Sequence, residues 1–162
     1  PFFRDIGMNM EAREHNAITQ FERDLIKLLK EEYSFYQSLY VLLDKQRDMI
    51  KFNKDEKLLD LFADIQRCHR RIRQSGERIE AMKSGNPRIF RLASVSPDVR
   101  KMANSISTLI KKSMNLVSEN EEYMTSRYAR LKSELDELKN SHKILQYVKD
   151  AAPAPQFVDR KN

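Results

Sequence analysis

The chain has 162 residues, 40% hydrophobic and 33% charged, with three glycines, one cysteine and no tryptophan. That length suits one domain, and the balance of much charge with little glycine suits a helical bundle or coiled coil rather than a sheet protein. No apolar run approaches the roughly 18 residues that a membrane-spanning helix needs, and the formal charge of +6 is a small excess of 30 basic over 24 acidic residues, too diluted to define a nucleic-acid site or an acidic partner by itself.

The N-terminal stretch Pro1-Phe2-Phe3-Arg4-Asp5-Ile6-Gly7 lacks the apolar core of a signal peptide. Residues 1–16 are expected to be a flexible leader, with Met8 or Met10 closer to a natural start. From Ala17 to Asp150 the hydrophobic rhythm is helical, and only Gly76, Gly85, Pro87 and Pro97 interrupt it.

The first helix is predicted from about Ala17 to Lys51. Ile18, Phe21, Leu25, Leu28, Phe35, Leu39, Leu42 and Met49 recur at alternating three- and four-residue spacing, with Glu32 and Gln46 as the polar members. A second stripe of Leu29, Tyr33, Tyr36, Tyr40, Leu43 and Ile50 lies beside it. A face this wide should touch at least two neighbours. Phe52-Asn53-Lys54-Asp55 then stops the helix, and Asn53 with Glu56 has the spacing of a capping box opening the next. So short a turn makes the two helices antiparallel partners.

The second helix is predicted from about Lys54 to Lys83, with Leu58, Phe62, Ile65, His69, Ile72, Gly76 and Ile79 at seam spacing, and it ends at Ser84-Gly85-Asn86-Pro87. Arg88 to Val95 read as a connector containing a helical turn. Ser96-Pro97-Asp98 then supplies an N-cap, a proline at the first helical position and an acid near the positive helix end.

The third helix is predicted from Pro97 to about Val148, with a seam of Val99, Met102, Ile106, Ile110, Ser113, Val117, Asn120, Met124, Tyr128, Leu131, Leu135, Leu138, His142 and Leu145. At 1.5 Å per residue it would reach about 75 Å, against about 50 and 45 Å for the first two. It must therefore overhang its partners, bend back or break, and Ser118 to Glu121 has the capping-box spacing for a break. The part from about Tyr123 to Val148 carries an apolar stripe without a partner in the chain, which marks an interaction site.

Little in this pattern points to catalysis. Cys68 and His69 are adjacent, so on a helix their side chains diverge by about 100° and do not readily share an ion; both are expected to be packing residues. No Gly-rich phosphate loop, His-Glu-x-x-His pattern or Ser/His/Asp arrangement is present. No cofactor, metal or enzymatic activity is expected. Arg67, His69, Arg70, Arg71, Arg73 and Arg78 form the densest basic stretch. Glu77 and Glu80 interrupt it and no aromatic ring is interleaved for base stacking, so a solvated helix surface is preferred to a nucleic-acid stripe. The aromatic run from Tyr33 to Tyr40 is expected in the core. Glu32, Gln46, Ser113 and Asn120, polar on the seam, are expected to specify register or to lie at a wet bundle end. After Asp150 the chain turns to Ala151-Ala152-Pro153-Ala154-Pro155, the composition of a disordered tail, although Phe157 and Val158 are apolar anchors within it.

The fold class expected is all-α: an antiparallel hairpin of long helices plus a long third helix over residues 17–150, an extended three-helix bundle or coiled coil, with a disordered Pro-rich tail over 151–162. From about Phe21 onward the chain resembles the FlgN family of flagellar type III export chaperones. The resemblance lies in the hairpin (Leu25 to Glu32, Leu39 to Ile50, Leu58 to Met82), in the long third helix with Asn120, and in the ending. There Tyr147, taken to follow the last helix, precedes a Pro-bearing spacer and Phe157-Val158-Asp159-Arg160-Lys161.

The resemblance implies a cytoplasmic chaperone for the hook-associated proteins that join hook to filament. Such a chaperone holds the helical terminal segment of its cargo, prevents premature assembly, and delivers the cargo to the export gate and export ATPase. The family's substrate-capturing part maps to about Leu131–Leu145, giving Tyr128, Leu131, Leu135, Leu138, His142 and Leu145 as expected cargo contacts. Tyr147 corresponds to a tyrosine that contacts the export gate in some members, although the residues after it depart from their Tyr-Gly-Asp/Glu-Gly form. The reading from another class is a structural coiled-coil adaptor that homodimerises through the third helix; a basic helical nucleic-acid binder is the third. The lone cysteine, Cys68, excludes an internal disulfide and fits a reducing cytosol.

Overall fold

The computed structural model describes residues 2–151, with side chains from Phe3 onward. Among these residues there is no strand, and four helices follow in order: α1 (Phe2–Lys51), α2 (Leu58–Gly85), α3 (Pro87–Ser94) and α4 (Pro97–Ala151). The expected tail from residue 152, with Phe157 and Val158, lies outside the described residues. Residues up to Asn120 make one compact unit and those from Glu121 onward another.

Helix α1 begins at Phe2, well before the expected Ala17. Met8-Asn9-Met10-Glu11-Ala12-Arg13-Glu14 is rich in good helix formers and contains no proline, so nothing local stops the helix from extending towards the N-terminus. Its side chains are largely exposed, and the Arg88 guanidinium lies 2.6 Å from the Glu14 carboxylate, which ties this part of α1 to α3.

At the other end of α1, Asn53 does not open the second helix. It sits at φ 56°, and the Lys54 amide donates to the Met49 carbonyl at 2.9 Å while the Asn53 amide donates to that of Ile50 at 3.4 Å. These are the bonds of a Schellman C-cap with asparagine in the left-handed position. The capping box expected from Asn53 and Glu56 does not form, because Asn53 already closes α1 in a conformation an N-cap cannot adopt. A short 3-10 turn, Asp55–Lys57, leads instead into α2.

Asn86 serves two helices. Its amide donates to the Met82 carbonyl at the end of α2, and its side chain accepts from the Ile89 amide at 3.2 Å, with Pro87 in the first turn of α3. The connector expected to hold a helical turn is thus a full short helix. Pro97 opens α4 as predicted, and Ser96 before it accepts through its carbonyl from the Arg100 amide at 3.0 Å. Its hydroxyl reaches across to α1 and donates to the Glu22 carboxylate at 2.6 Å.

Within the first unit two apolar clusters surround α1. Leu25 and Leu29 of α1 meet Ala93 of α3 and Val99 and Ile106 of α4, with Phe21, Ile79, Met82 and Phe90 against them. Phe21 and Phe90 pack edge to face with ring centroids 6.3 Å apart. Further along, Leu39 and Leu43 meet Leu61, Ile65 and Cys68 of α2 and Leu116 of α4. Tyr36 packs against both clusters, and the rings of the aromatic run, expected in the core, are half-buried at its edge. These pairings make α2 antiparallel to α1, and the first part of α4 parallel to α1.

Three seam assignments shift by one residue. α4 buries Leu116 where Val117 was expected, and Val117 is exposed; α2 buries Leu61 and Cys68, and Phe62 and His69, both expected on the seam, are exposed. Neighbouring residues point about 100° apart, so the seam accepts one of each pair, and contact with Leu39 and Leu43 selects Leu116 and Cys68. The Cys68 thiol donates to the Phe35 carbonyl at 3.1 Å. Burial pushes its pKa up, an effect partly offset by the Arg71 charge, so it is a poor nucleophile.

The break expected between Ser118 and Glu121 is absent, and α4 runs through it. Asn120 is buried there, and its Nδ2 donates to the Leu43 carbonyl at 3.2 Å and to Gln46 Oε1 at 3.1 Å. With no glycine or proline nearby, continuing the helix satisfies more backbone groups than stopping it. Asn120 and Gln46 thus fix register together, as expected of polar seam residues. Ser113 is buried without a protein partner for its hydroxyl, as is Ser75 on α2.

Asn120→Ala should lower unfolding stability by about 1–3 kcal/mol in urea titration, and Asn120→Leu should recover most of that loss. An alanine variant as stable as the wild type would show that the two bonds contribute nothing. A second expectation concerns Glu32, which burial holds above its ordinary value of 4.5; burial, and then the charge of Glu32, also raise the Tyr36 phenol. A raised carboxyl binds more protons in the folded state, so stability falls as pH rises from 4.5 through the higher folded value. Glu32→Gln should therefore raise Tm at pH near 7, with the gain vanishing below about pH 4, where both states are protonated. A gain that persists in acid would exclude this cause.

Candidate protein-binding surface

In the second unit the described residues, 121–151, are all helical. Tyr128, Leu131, Leu135, Leu138, His142 and Leu145 alternate three- and four-residue steps, which places them in one stripe about 100° wide. Every one of them is exposed, Tyr128 at 70% and Leu138 at 67%. In the first unit the same spacing on α4 leads to burial, with Val99, Ile106, Leu116 and Asn120 all at 6% exposure or less. Lys132 and Lys139 flank one edge of the exposed stripe and Glu134 the other, all of them exposed. An apolar stripe with charged edges is the surface that an amphipathic partner helix covers.

Tyr147 lies inside α4, not after it as expected, because the helix continues to Ala151. It is 74% exposed and sits roughly 160° around the helix from Leu145, away from the stripe. One partner on the stripe would leave the Tyr147 ring free for another.

The basic stretch is on the surface of α2, as predicted. Arg67 pairs with Asp64 within the helix, and Arg78 reaches Glu31 of α1 at 3.3 Å. Among the described residues no cluster of three His, Cys, Asp or Glu side chains could hold a metal ion, and no helix is long and apolar enough to cross a membrane. Sequence reasoning passed over Val41 in the first unit. Half its surface is open, in a groove between α1 and α2.

No curated protein and no solved structure gives a significant match to the chain. A family model described as FlgN protein matches residues 21–154. The match begins at Phe21, where α1 enters the core, and runs through α2, α3 and the whole exposed stripe of α4. Members of that family are chaperones rather than enzymes, and a role in flagellar export is what membership suggests. With most of its length matched by the family model, the chain belongs to the FlgN family.

Proposed function

We propose that this protein is a cytoplasmic chaperone of flagellar type III export that binds the helical terminal segment of hook-associated proteins. In this reading the segment lies along Leu131, Leu135, Leu138 and Leu145, with Tyr128 and His142 completing the contact. The protein thereby blocks premature assembly and delivers the cargo to the export gate and export ATPase. The observation that carries the proposal is the exposure of this whole stripe on a helix whose earlier seam is buried. A cargo helix covering four leucines would gain roughly 6–10 kcal/mol gross. Ordering costs reduce that to about micromolar affinity, suited to a cargo that must be released.

Tyr147 is proposed as the export-gate contact, separate from the cargo face. A second copy of the chain would meet the same apolar spacing, and that homodimeric adaptor is the competing reading, because a stripe with this period fits a like stripe as well as a cargo helix.

One pull-down from a flagellated cell lysate tests both assignments, comparing the full chain, a chain ending at Thr125, and the variants Leu135→Asp and Tyr147→Ala. The full chain should recover hook-associated proteins, and the truncated chain and Leu135→Asp should lose at least about tenfold of that recovery with Tm unchanged, since the stripe is exposed. Tyr147→Ala should keep cargo and lose the export gate. Full recovery by Leu135→Asp would remove the stripe from cargo binding, loss of cargo by Tyr147→Ala would refute separate faces, and recovery of only a second copy would favour the adaptor.

A further inference from the structure

We propose that the outer groove between α1 and α2 is a second protein-docking site, shaped for a helical segment that presents two carboxylates one turn apart beside an aliphatic residue. The groove encloses about 630 Å³, with Ser34, Ser38, Val41 and Leu42 on the α1 side and Arg67 and Arg71 on the α2 side. It belongs entirely to the first unit and is distinct from the stripe at Tyr128–Leu145.

The charged lining of the groove is Asp64, Arg67 and Arg71, a net excess of positive charge. α1 has no charged residue between Glu32 and Asp44, and α2 has no acid between Asp64 and Glu77 while carrying Arg67, Arg70, Arg71 and Arg73. Arg67 spends one contact on Asp64 at the groove's end, and its five N–H donors leave room for a second carboxylate. Arg71 has no ion pair among the described residues and lines the groove with Cys68. Arg67 and Arg71 are one helical turn apart, so their heads match carboxylates at i and i+4 of a facing helix.

The floor decides between classes of partner. Val41 is 50% exposed and Leu42 half-buried, so the groove offers aliphatic surface that a partner side chain can cover. Serine hydroxyls line its rim and no aromatic ring is among its lining residues. Single-stranded nucleic acid binds on stacking platforms, which are missing here, whereas an acidic amphipathic helix uses both the aliphatic floor and the arginines. The stretch from Ser34 to Leu42 covers about 12 Å, or two turns of a bound helix. That contact is small, and binding in the range of roughly 10–100 µM is expected.

The test is a titration of the ¹⁵N-labelled full chain with a synthetic helical peptide of about 18 residues carrying Leu beside Glu pairs at i and i+4, long enough to hold helix. Matched peptides with Gln or Lys replacing Glu serve as comparisons. Amide shifts should concentrate at residues 34–42 and 64–71, and the Gln peptide should bind at least about fivefold more weakly, as expected for loss of charge-assisted bonds. The double variant Arg67→Glu/Arg71→Glu should reverse the preference and favour the Lys peptide. Both arginines are exposed, and should the variant fail to fold, the shift map and the Gln comparison on the unaltered chain still decide. Shifts confined to residues 128–145, equal binding of Glu and Gln peptides, or a variant that keeps its acidic preference would each overturn the proposal. So would tighter, steeply salt-dependent binding of a single-stranded oligonucleotide at the same residues.

Discussion

Helix α1 has to bury an apolar face two stripes wide, and a single neighbouring helix cannot cover it. Leu39 and Leu43 are met by α2 and α4 together, while Leu25 and Leu29 are met by α3 and the start of α4. α2 ends beside the N-terminal half of that face, where Ile79 and Met82 pack, and the short α3 adds Phe90 and Ala93 to its cover. Asn86 makes the reversal in one residue by closing one helix and opening the next. The parallel course of α4 beside α1 then follows from where α3 leaves it.

Polar groups within this apolar frame set its alignment more than its strength. Asn120 bonds to a backbone carbonyl and a side chain of α1, so sliding α4 by one turn would strand its amide away from Leu43 and Gln46. Ser96 and Glu22 make a second cross-link between the same two helices near the beginning of α4. These two contacts, one near each end of the seam, hold α4 in one register while the leucines between them supply the apolar burial.

The functional contrast runs along α4 itself. Its seam is buried as far as Asn120 and its apolar stripe is exposed from Tyr128 onward, although the spacing of the residues does not change. A helix with a 3.5-residue repeat has no preference for partners from its own chain over partners from another. Under the proposed function a cargo helix would cover the exposed stripe. The outer groove of α1 and α2 offers a different chemistry, with arginines over an aliphatic floor, so the two surfaces need not compete for one partner.

Much of this was legible in the sequence. The helical period, the stops at Asn53 and Asn86, Pro97 opening α4, the doubled stripe of α1 and the unpartnered stripe at Tyr128–Leu145 all follow from residue type and spacing, because amphipathic period and breaker chemistry act locally. The choice between neighbours was not local. Whether Cys68 or His69, or Leu116 or Val117, enters the core differs by about 100° of helix rotation, and that rotation is set by the residues of α1 that the seam meets. The same holds for Asn53, whose side chain suits either cap until the chain direction commits it to the left-handed position. It holds too for Val41, left open in a groove that exists only once two helices lie side by side. Periodicity determined which faces are apolar; packing alone decided which of them is covered, because burial depends on what another part of the chain brings to it.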